Sequence, residues 1–306
     1  LITAADSIMT NTGVRYTLLI HGGTVTNPES VTPEQLSLLS QIAAEGGSQL
    51  AAGATALEVV VQAISHMEDS GLFDAGKGSY LNQAEFAETD ASLMDGFTGR
   101  AGAVAVMQRI KNPIQAAHLV MEQTPHVFFA GPEGERVLIG LGAVAVDDPG
   151  RYFVPVDQDT ARPATEGTVG AVALDRQGKL AAGTSTGGTR GKLPGRVSDS
   201  CIIGASTFAN DRYALSATGK GEYFIRRTAT HAIAMSAGLT SMSLKDATNH
   251  MVHDLIGGTD LASGAIIAIS REGEIVISSN VYGILHAYTT ESITPTSGAT
   301  EPVRPR

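Results

Sequence analysis

The residues best suited to chemistry cluster between Gly167 and Glu222. In Glu166-Gly167-Thr168-Val169-Gly170-Ala171-Val172, a threonine stands where a polar stretch gives way to a strand-like apolar run. Threonine suits strands, so the fragment alone favours an ordinary strand start. Its neighbours point further. Thr186 ends the partner strand of the same expected hairpin, and a glycine-rich loop follows with Arg196 and Asp199. Thr218-Gly219 closes another strand in the run Thr218-Gly219-Lys220-Gly221-Glu222.

A threonine hydroxyl needs a base to act as a nucleophile. If the bond before Thr168 is cut, its own α-amine becomes available, with a pKa near ~7.7–8.0, as a general base requires. Gly167 leaves room for the backbone geometry of such an attack. Arg196 offers a planar fork for a carboxylate, and Asp199 suits an ammonium. Together they fit the two charged groups of an amino-acid-like substrate, although a loop salt bridge of little value is the plainer reading. The Thr218 hydroxyl and the Gly219 N–H suit a tetrahedral oxyanion.

Other matches carry less. Gly71-Leu-Phe-Asp-Ala-Gly76-Lys77 resembles the front of a phosphate loop, but Gly78 stands where Ser or Thr should meet magnesium. Gly183-Thr184-Ser185-Thr186-Gly187 matches a nucleophile elbow, which must run into a helix. The residues that follow, with Gly188, Gly191, Pro194 and Gly195, do not hold one. A serine hydrolase using Ser185 is therefore the second reading. His250 and His253 lack a carboxylate placed to complete a metal site. Cys201, the single cysteine, permits no internal disulfide and reads as a small buried hydrophobe.

These residues need a scaffold. Tyr16–His21 reads as a buried strand entering the Gly22-Gly23 turn. Thr32, Pro33 and Gln35 open a helix with a capping box. Thr55 and Glu58 open another, with Leu57, Val60, Val61, Ile64 and Met67 on its apolar face, and Gly71 ends it. Thr89–Asp95 and Ala101–Gln108 read as strands, and Asn112-Pro113 starts a third helix. Periodicity fades from Gly131, and Asp147–Gly167 reads as a linker. Hairpins are expected at 169–186 and 265–278, with a strand at Tyr213–Ala217 between them. Helices are expected over 222–236 and from Ser243. Hairpins without repeated βαβ units predict an α+β fold with largely antiparallel sheets and outer helices.

Composition narrows the classes. The net charge is −10 with no Lys/Arg cluster, which argues against nucleic-acid binding. No apolar run reaches the ~18–20 residues of a membrane span. A soluble protein is expected, cytoplasmic or periplasmic, since the start at Leu1 is compatible with a removed leader.

The chain resembles the plant-type asparaginases, or isoaspartyl peptidases, of the N-terminal nucleophile hydrolases. The stretches carrying the resemblance include IHGG from Ile20, MEDSGLFDAGKGS from Met67, TDASLMDG from Thr89, GTVGAVALD from Gly167, STGG from Ser185, KLPGRVSDS from Lys192 and TGKGE from Thr218. The resemblance implies a four-layer αββα sandwich in one domain, 1–306. It implies self-cleavage at Gly167-Thr168 into an α subunit, 1–167, and a β subunit, 168–306. It casts Thr168 as nucleophile, Thr186 as its orienting partner, Arg196 and Asp199 as substrate anchors, and Thr218 and Gly219 as the oxyanion hole. The implied substrates are β-aspartyl dipeptides and L-asparagine, and the implied assembly is a dimer of αβ heterodimers. No catalytic cofactor is implied. A structural sodium ion is, on the backbone carbonyls of Met67, Glu68, Ser70, Phe73, Ala75 and Lys77. The chain departs from the pattern at Thr24-Val25, Asp74, Ser198 and Lys220. An unprocessed protein of the same fold with a binding role is the remaining alternative.

Overall fold

The computed structural model describes residues 16–25, 27–155, 167–257 and 263–299. Most of the expected linker, 156–166, lies outside them. Helix-end signals translate directly. In α1 (Pro33–Ala52) and α2 (Ala56–Ser70), Thr32 with Gln35 and Thr55 with Glu58 form complete capping boxes, and Gly53 and Gly71 close both helices in the left-handed conformation. Each cap is worth about 1 kcal/mol.

A large sheet contains β1 (Thr17–Val25), β2 (Thr89–Asp95), β3 (Ala101–Met107), β4 (Phe128–Ala130), β5 (Val169–Leu174), β6 (Leu180–Thr186), β11 (Gly283–Thr290) and β12 (Ile293–Ala299). Its order is β12-β11-β1-β5-β6-β2-β3-β4. A small sheet, ordered β10-β9-β8-β7, contains β7 (Thr207–Ala209), β8 (Tyr213–Gly219), β9 (Gly264–Ser270) and β10 (Ile275–Ser279). Among these strands only β3 and β4 pair in parallel.

Three apolar layers separate four layers of structure. Leu39 and Ile42 of α1, Val60 and Ile64 of α2, and Ile114 of α3 (Pro113–Gln123) cover Ile20, Ala171 and Leu93 on one face of the large sheet. Leu19, Val172 and Ala182 on its other face meet Ala214, Ala265 and Ile267 of the small sheet. Leu215 and Ile266 pack outward on Phe224 of α6 (Gly221–Arg227), Ile233 of α7 (Ala229–Leu239), and Val252 in the π-helical turn that continues α8 (Leu244–Asn249). This is the αββα sandwich.

Register then decides which side chains face the inter-sheet layer. Leu19, Val172, Ala182 and Met94 form one cross-strand row, and His21, Gly170, Thr184 and Ser92 the next. Asp90 pairs with Thr186 in the row beyond, and the same register brings Thr168 opposite Thr186. Directly paired residues share a face. One end of the inter-sheet layer is therefore polar while its middle is apolar.

The structure corrects several expectations. The segment after Ala130 begins with a helix, α4 (Gly131–Gly140), and α5 (Pro149–Tyr152) interrupts the expected linker. The helix expected over 222–236 is two, because Thr228 at φ 44° turns the chain between α6 and α7. β4, β7, β11 and β12 were not expected. β12 is an edge strand whose residues, ITPTSGA, lack apolar alternation.

Gly170 sits where a Cβ would overlap Ser216 Oγ and His21 Nε2. Overpacking of this kind typically costs about 1–3 kcal/mol. Gly170→Ala should therefore lower the unfolding free energy by that order and move the urea midpoint down. An unchanged midpoint would show that the inter-sheet layer yields more easily than its packing implies.

Candidate active site

Thr168 enters the large sheet at the head of β5 and is 8% exposed. Its Oγ1 donates to Thr186 Oγ1 at 3.0 Å. Thr186 Oγ1 also accepts the Gly188 N–H at 2.9 Å. The Thr186 oxygen is thus held from two sides, and the Thr168 hydroxyl is aimed by it. Gly167 packs tightly on Asp74: a Cβ there would lie 2.8 Å from the Asp74 nitrogen. Asp74 is fully buried, and its Oδ1 accepts the Tyr80 N–H at 2.8 Å. Burial pushes its pKa up to about 7.

A chain of buried hydroxyls underlies Thr168. His21 Nε2 lies 3.0 Å from Ser216 Oγ, which is 2.7 Å from Thr184 Oγ1. Thr184 accepts from Thr207 at 2.7 Å, and Thr207 from Ser92 at 2.9 Å. Ser92 also reaches the Ser200 carbonyl at 2.6 Å. The chain crosses the interior from strand β1 to the turn that carries Asp199. Burial drives the His21 pKa down to about 3, so its ring is neutral and the chain carries no charge.

The two expected anchors, Arg196 and Asp199, come from the loop after β6. Asp90, opposite Thr186, accepts the Ser198 N–H at 2.7 Å on Oδ2 and the Val106 N–H at 2.8 Å on Oδ1. Glu88 accepts the Gly195 N–H at 3.0 Å, and buried Lys192 donates to the Glu88 carbonyl at 2.6 Å. These contacts clamp the loop on both sides of Arg196. Arg196 Nε and Nη2 donate to Glu222 at 3.0 and 2.9 Å. Asp199 is buried, and its Oδ2 has no partner among the described residues. Burial lifts its pKa to about 7, against the pull of Arg196. An orphaned buried carboxylate oxygen suits an incoming cation. Ala214, Ser216 and Thr218 lie two apart on β8 and share a face. That face runs from the apolar row past Ser216 to Thr218 at the polar end. Gly219 follows at φ 141°.

All six expected site residues thus lie around the polar end of the inter-sheet layer. Ser185 does not join them. It faces the helices and donates to Glu68 at 2.6 Å. His250 pairs with Asp254 and His253 contacts Ser278. Cys201 is buried. Sequence reasoning overlooked Glu88, Asp90, Lys192 and Glu222. Their signal was charge at the ends of otherwise apolar strands and beside glycines, since buried charges rarely lack partners.

The family model described as Asparaginase matches residues 14–154 and 148–298. An isoaspartyl peptidase of Escherichia coli (strain K12) is 38% identical over 312 residues, covering 92% of this chain and 95% of its own length. A probable isoaspartyl peptidase/L-asparaginase 2 of Arabidopsis thaliana is 30% identical, covering 90% of this chain and 96% of its own. An isoaspartyl peptidase/L-asparaginase of Bos taurus is 35% identical, covering 84% and 87%. The chain belongs to the asparaginase family of N-terminal nucleophile hydrolases. Among the described residues no helix is long and apolar enough to cross a membrane.

Asp199 links the site to stability. Its folded pKa, about 7, exceeds the ordinary 3.8. Between those values the folded carboxyl keeps a proton that the unfolded one releases. Stability from this group is therefore lost as pH rises through that window. Asp199→Asn should remove the loss and be more resistant to urea than the parent at pH 8, but not at pH 4. Equal resistance at pH 8 would mean that Arg196 fully compensates the buried charge.

Proposed function

We propose that this protein is a self-processing threonine hydrolase of β-aspartyl dipeptides and L-asparagine. The observation that carries the reading is the Thr168 hydroxyl aimed by Thr186 at 3.0 Å, one residue after the glycine packed on Asp74. The names of the three relatives support the substrate class.

Self-cleavage begins with attack of Thr168 Oγ1 on the Gly167 carbonyl carbon. The amide nitrogen of Thr168 leaves, taking a proton, and an ester remains. Water hydrolyses the ester, giving the Gly167 carboxylate and a Thr168 α-amine. In the mature protein the amine takes the hydroxyl proton as Thr168 attacks the β-carbonyl of the substrate. Thr218 and Gly219 hold the developing oxyanion. Ammonia or an amino acid leaves with a proton, and water releases aspartate. Arg196 meets the substrate α-carboxylate and Asp199 its ammonium. A dipeptide adds contacts beyond these anchors, and that binding energy is available at the reacting centre, so β-aspartyl dipeptides should be turned over with the higher kcat/KM.

Residues 1–167 and 168–306 should separate on a denaturing gel while remaining in one particle of two αβ heterodimers. Thr168→Ala should stay a single chain and hydrolyse neither substrate. Finding both pieces in purified Thr168→Ala would end the self-cleavage reading. Asparagine consumed faster than β-Asp-Leu at equal concentration would reverse the substrate preference.

The reading includes a structural sodium ion, and the loop fits one. Met67, Glu68 and Ser70 lie in the last turn of α2, where carbonyls lack the backbone N–H partners of the helix interior; that of Met67 accepts the Ser70 hydroxyl at 2.7 Å and keeps a second lone pair. Gly76 folds the following turn onto them, its Cβ position lying 2.7 Å from the Glu68 oxygen. The carbonyls of Phe73, Ala75 and Lys77 accept the Ala75, Gly78 and Val154 N–H groups and keep a second lone pair. Such oxygens suit a hard cation, which would fix the loop bearing Asp74. Replacing sodium by tetramethylammonium at constant ionic strength should lower the melting temperature; an unchanged value would remove the ion from the reading.

A further inference from the structure

Arg196 stands in a loop whose backbone is clamped at Gly195 and Ser198, but those contacts do not touch its long side chain. Gly187, Gly188, Gly191 and Gly195 precede it, and its long side chain has many rotamers to lose. Yet the guanidinium is fixed at one edge. Nε donates to Glu222 Oε1 at 3.0 Å and Nη2 donates to the same oxygen at 2.9 Å. The Arg196 side chain is 17% exposed and that of Glu222 58%, so the acid reaches in from the rim.

A guanidinium has five N–H groups, and Glu222 engages one on Nε and one on Nη2. Both on Nη1 and one on Nη2 remain. The Nη1–Nη2 edge is thus still a complete fork for a second carboxylate. Glu222 holds the arginine without filling the edge that a substrate would use.

Glu222 is itself placed by the site. It lies in the first turn of α6, three residues after Gly219. Between them, Gly221 packs so closely on Asp199 that a Cβ would overlap Oδ1 and come within 3.1 Å of the Asp199 nitrogen. The Lys220 N–H is tied to the Ser263 carbonyl at 2.9 Å. One short segment, 218–222, therefore bears the oxyanion pair, abuts one anchor and grips the other.

We propose that Glu222 is a positioning residue for substrate: it holds Arg196 by its Nε–Nη2 edge so that the Nη1–Nη2 edge is set for the substrate α-carboxylate. This rests on the reading of Arg196 as the carboxylate anchor. The opposite role is a competing carboxylate that occupies Arg196 until substrate displaces it. The two differ in sign. Removing a positioning group raises KM, whereas removing a competitor lowers it.

The test uses processed protein with β-Asp-Leu and with L-asparagine. Glu222→Ala should raise KM for both about ten-fold, equivalent to about 1.4 kcal/mol, with little change in kcat and normal self-cleavage on a gel. Glu222→Gln keeps an oxygen that accepts both N–H groups and should recover most of the loss. Arg196→Ala should raise KM further, and adding Glu222→Ala to it should have no additional effect. An unchanged or lower KM in Glu222→Ala, while Arg196→Ala still raises KM, overturns the positioning role alone. An unchanged KM in Arg196→Ala overturns the anchor reading, and the positioning role with it. Additive effects in the double variant also overturn the positioning role, because Glu222 would then act other than through Arg196.

Discussion

The pairing register of β5 with β6 is the constraint on which the site depends. Val169 opposite Ser185 and Gly170 opposite Thr184 leave Thr168 facing Thr186 across the hairpin. A slip of one residue would turn Thr168 to the helix side of the sheet, because strand side chains alternate with period two. The register is held by what lies deeper. Val172, Leu174, Leu180 and Ala182 must reach the inter-sheet core, and they do so only in this alignment. The apolar Val172–Ala182 row thus sets the position of the Thr168–Thr186 row four residues along the strands. The β2–β6 pairing extends the same row to Asp90, which passes the alignment to Ser198, between the two anchors.

Polarity inside a sandwich has to be neutral or partnered. The hydroxyls linking Ser216, Thr184, Thr207 and Ser92 to the Ser200 carbonyl satisfy that rule without a charge. Asp199 departs from it, with one oxygen orphaned and its pKa lifted by burial. Such a group costs stability at neutral pH, and the cost is reasonable only where a cation arrives. The site and the stability of the fold therefore oppose each other at Asp199, a common conflict where function needs an unsatisfied group. Arg196 shows the other solution. Its charge is kept paired by Glu222 on one edge while a second edge stays available.

Much of this was legible because local signals were strong. The capping residues Thr32 and Thr55, the glycine stops and the hairpin over 169–186 each follow from short-range chemistry, and the structure has them. The six candidate site residues were legible mainly through the resemblance, and the structure brings them to one end of the inter-sheet layer. The supporting residues were not legible, since Asp90, Glu88 and Glu222 act on residues far along the chain, and nothing in their own neighbourhoods announces the partner. Thr228 broke an otherwise continuous helical pattern, and its positive φ is a tertiary demand that a threonine does not advertise. β12 escaped notice because an edge strand with one face in solvent needs little apolar alternation.

Adjacent hydroxyls on one strand bear on the choice between the two nucleophiles the sequence offered, Thr168 and Ser185. Ser185 and Thr186 are neighbours on β6 and so must face opposite layers. Ser185 points to the helix layer, where it is fully buried against the Glu68 carboxyl. Burial raises the Glu68 pKa to about 8, so at pH 7 that group is largely protonated and a poor base. Among the described residues, Ile64, Val60 and Ile114 crowd the adjoining Gly183. Thr186 points into the inter-sheet layer beside Thr168, at the end where the glycine-rich loop and β8 converge. The same period of two that buries the serine therefore delivers the threonine pair to the anchors, and the elbow-like motif around Ser185 is a by-product of a strand whose chemistry lies on its other face.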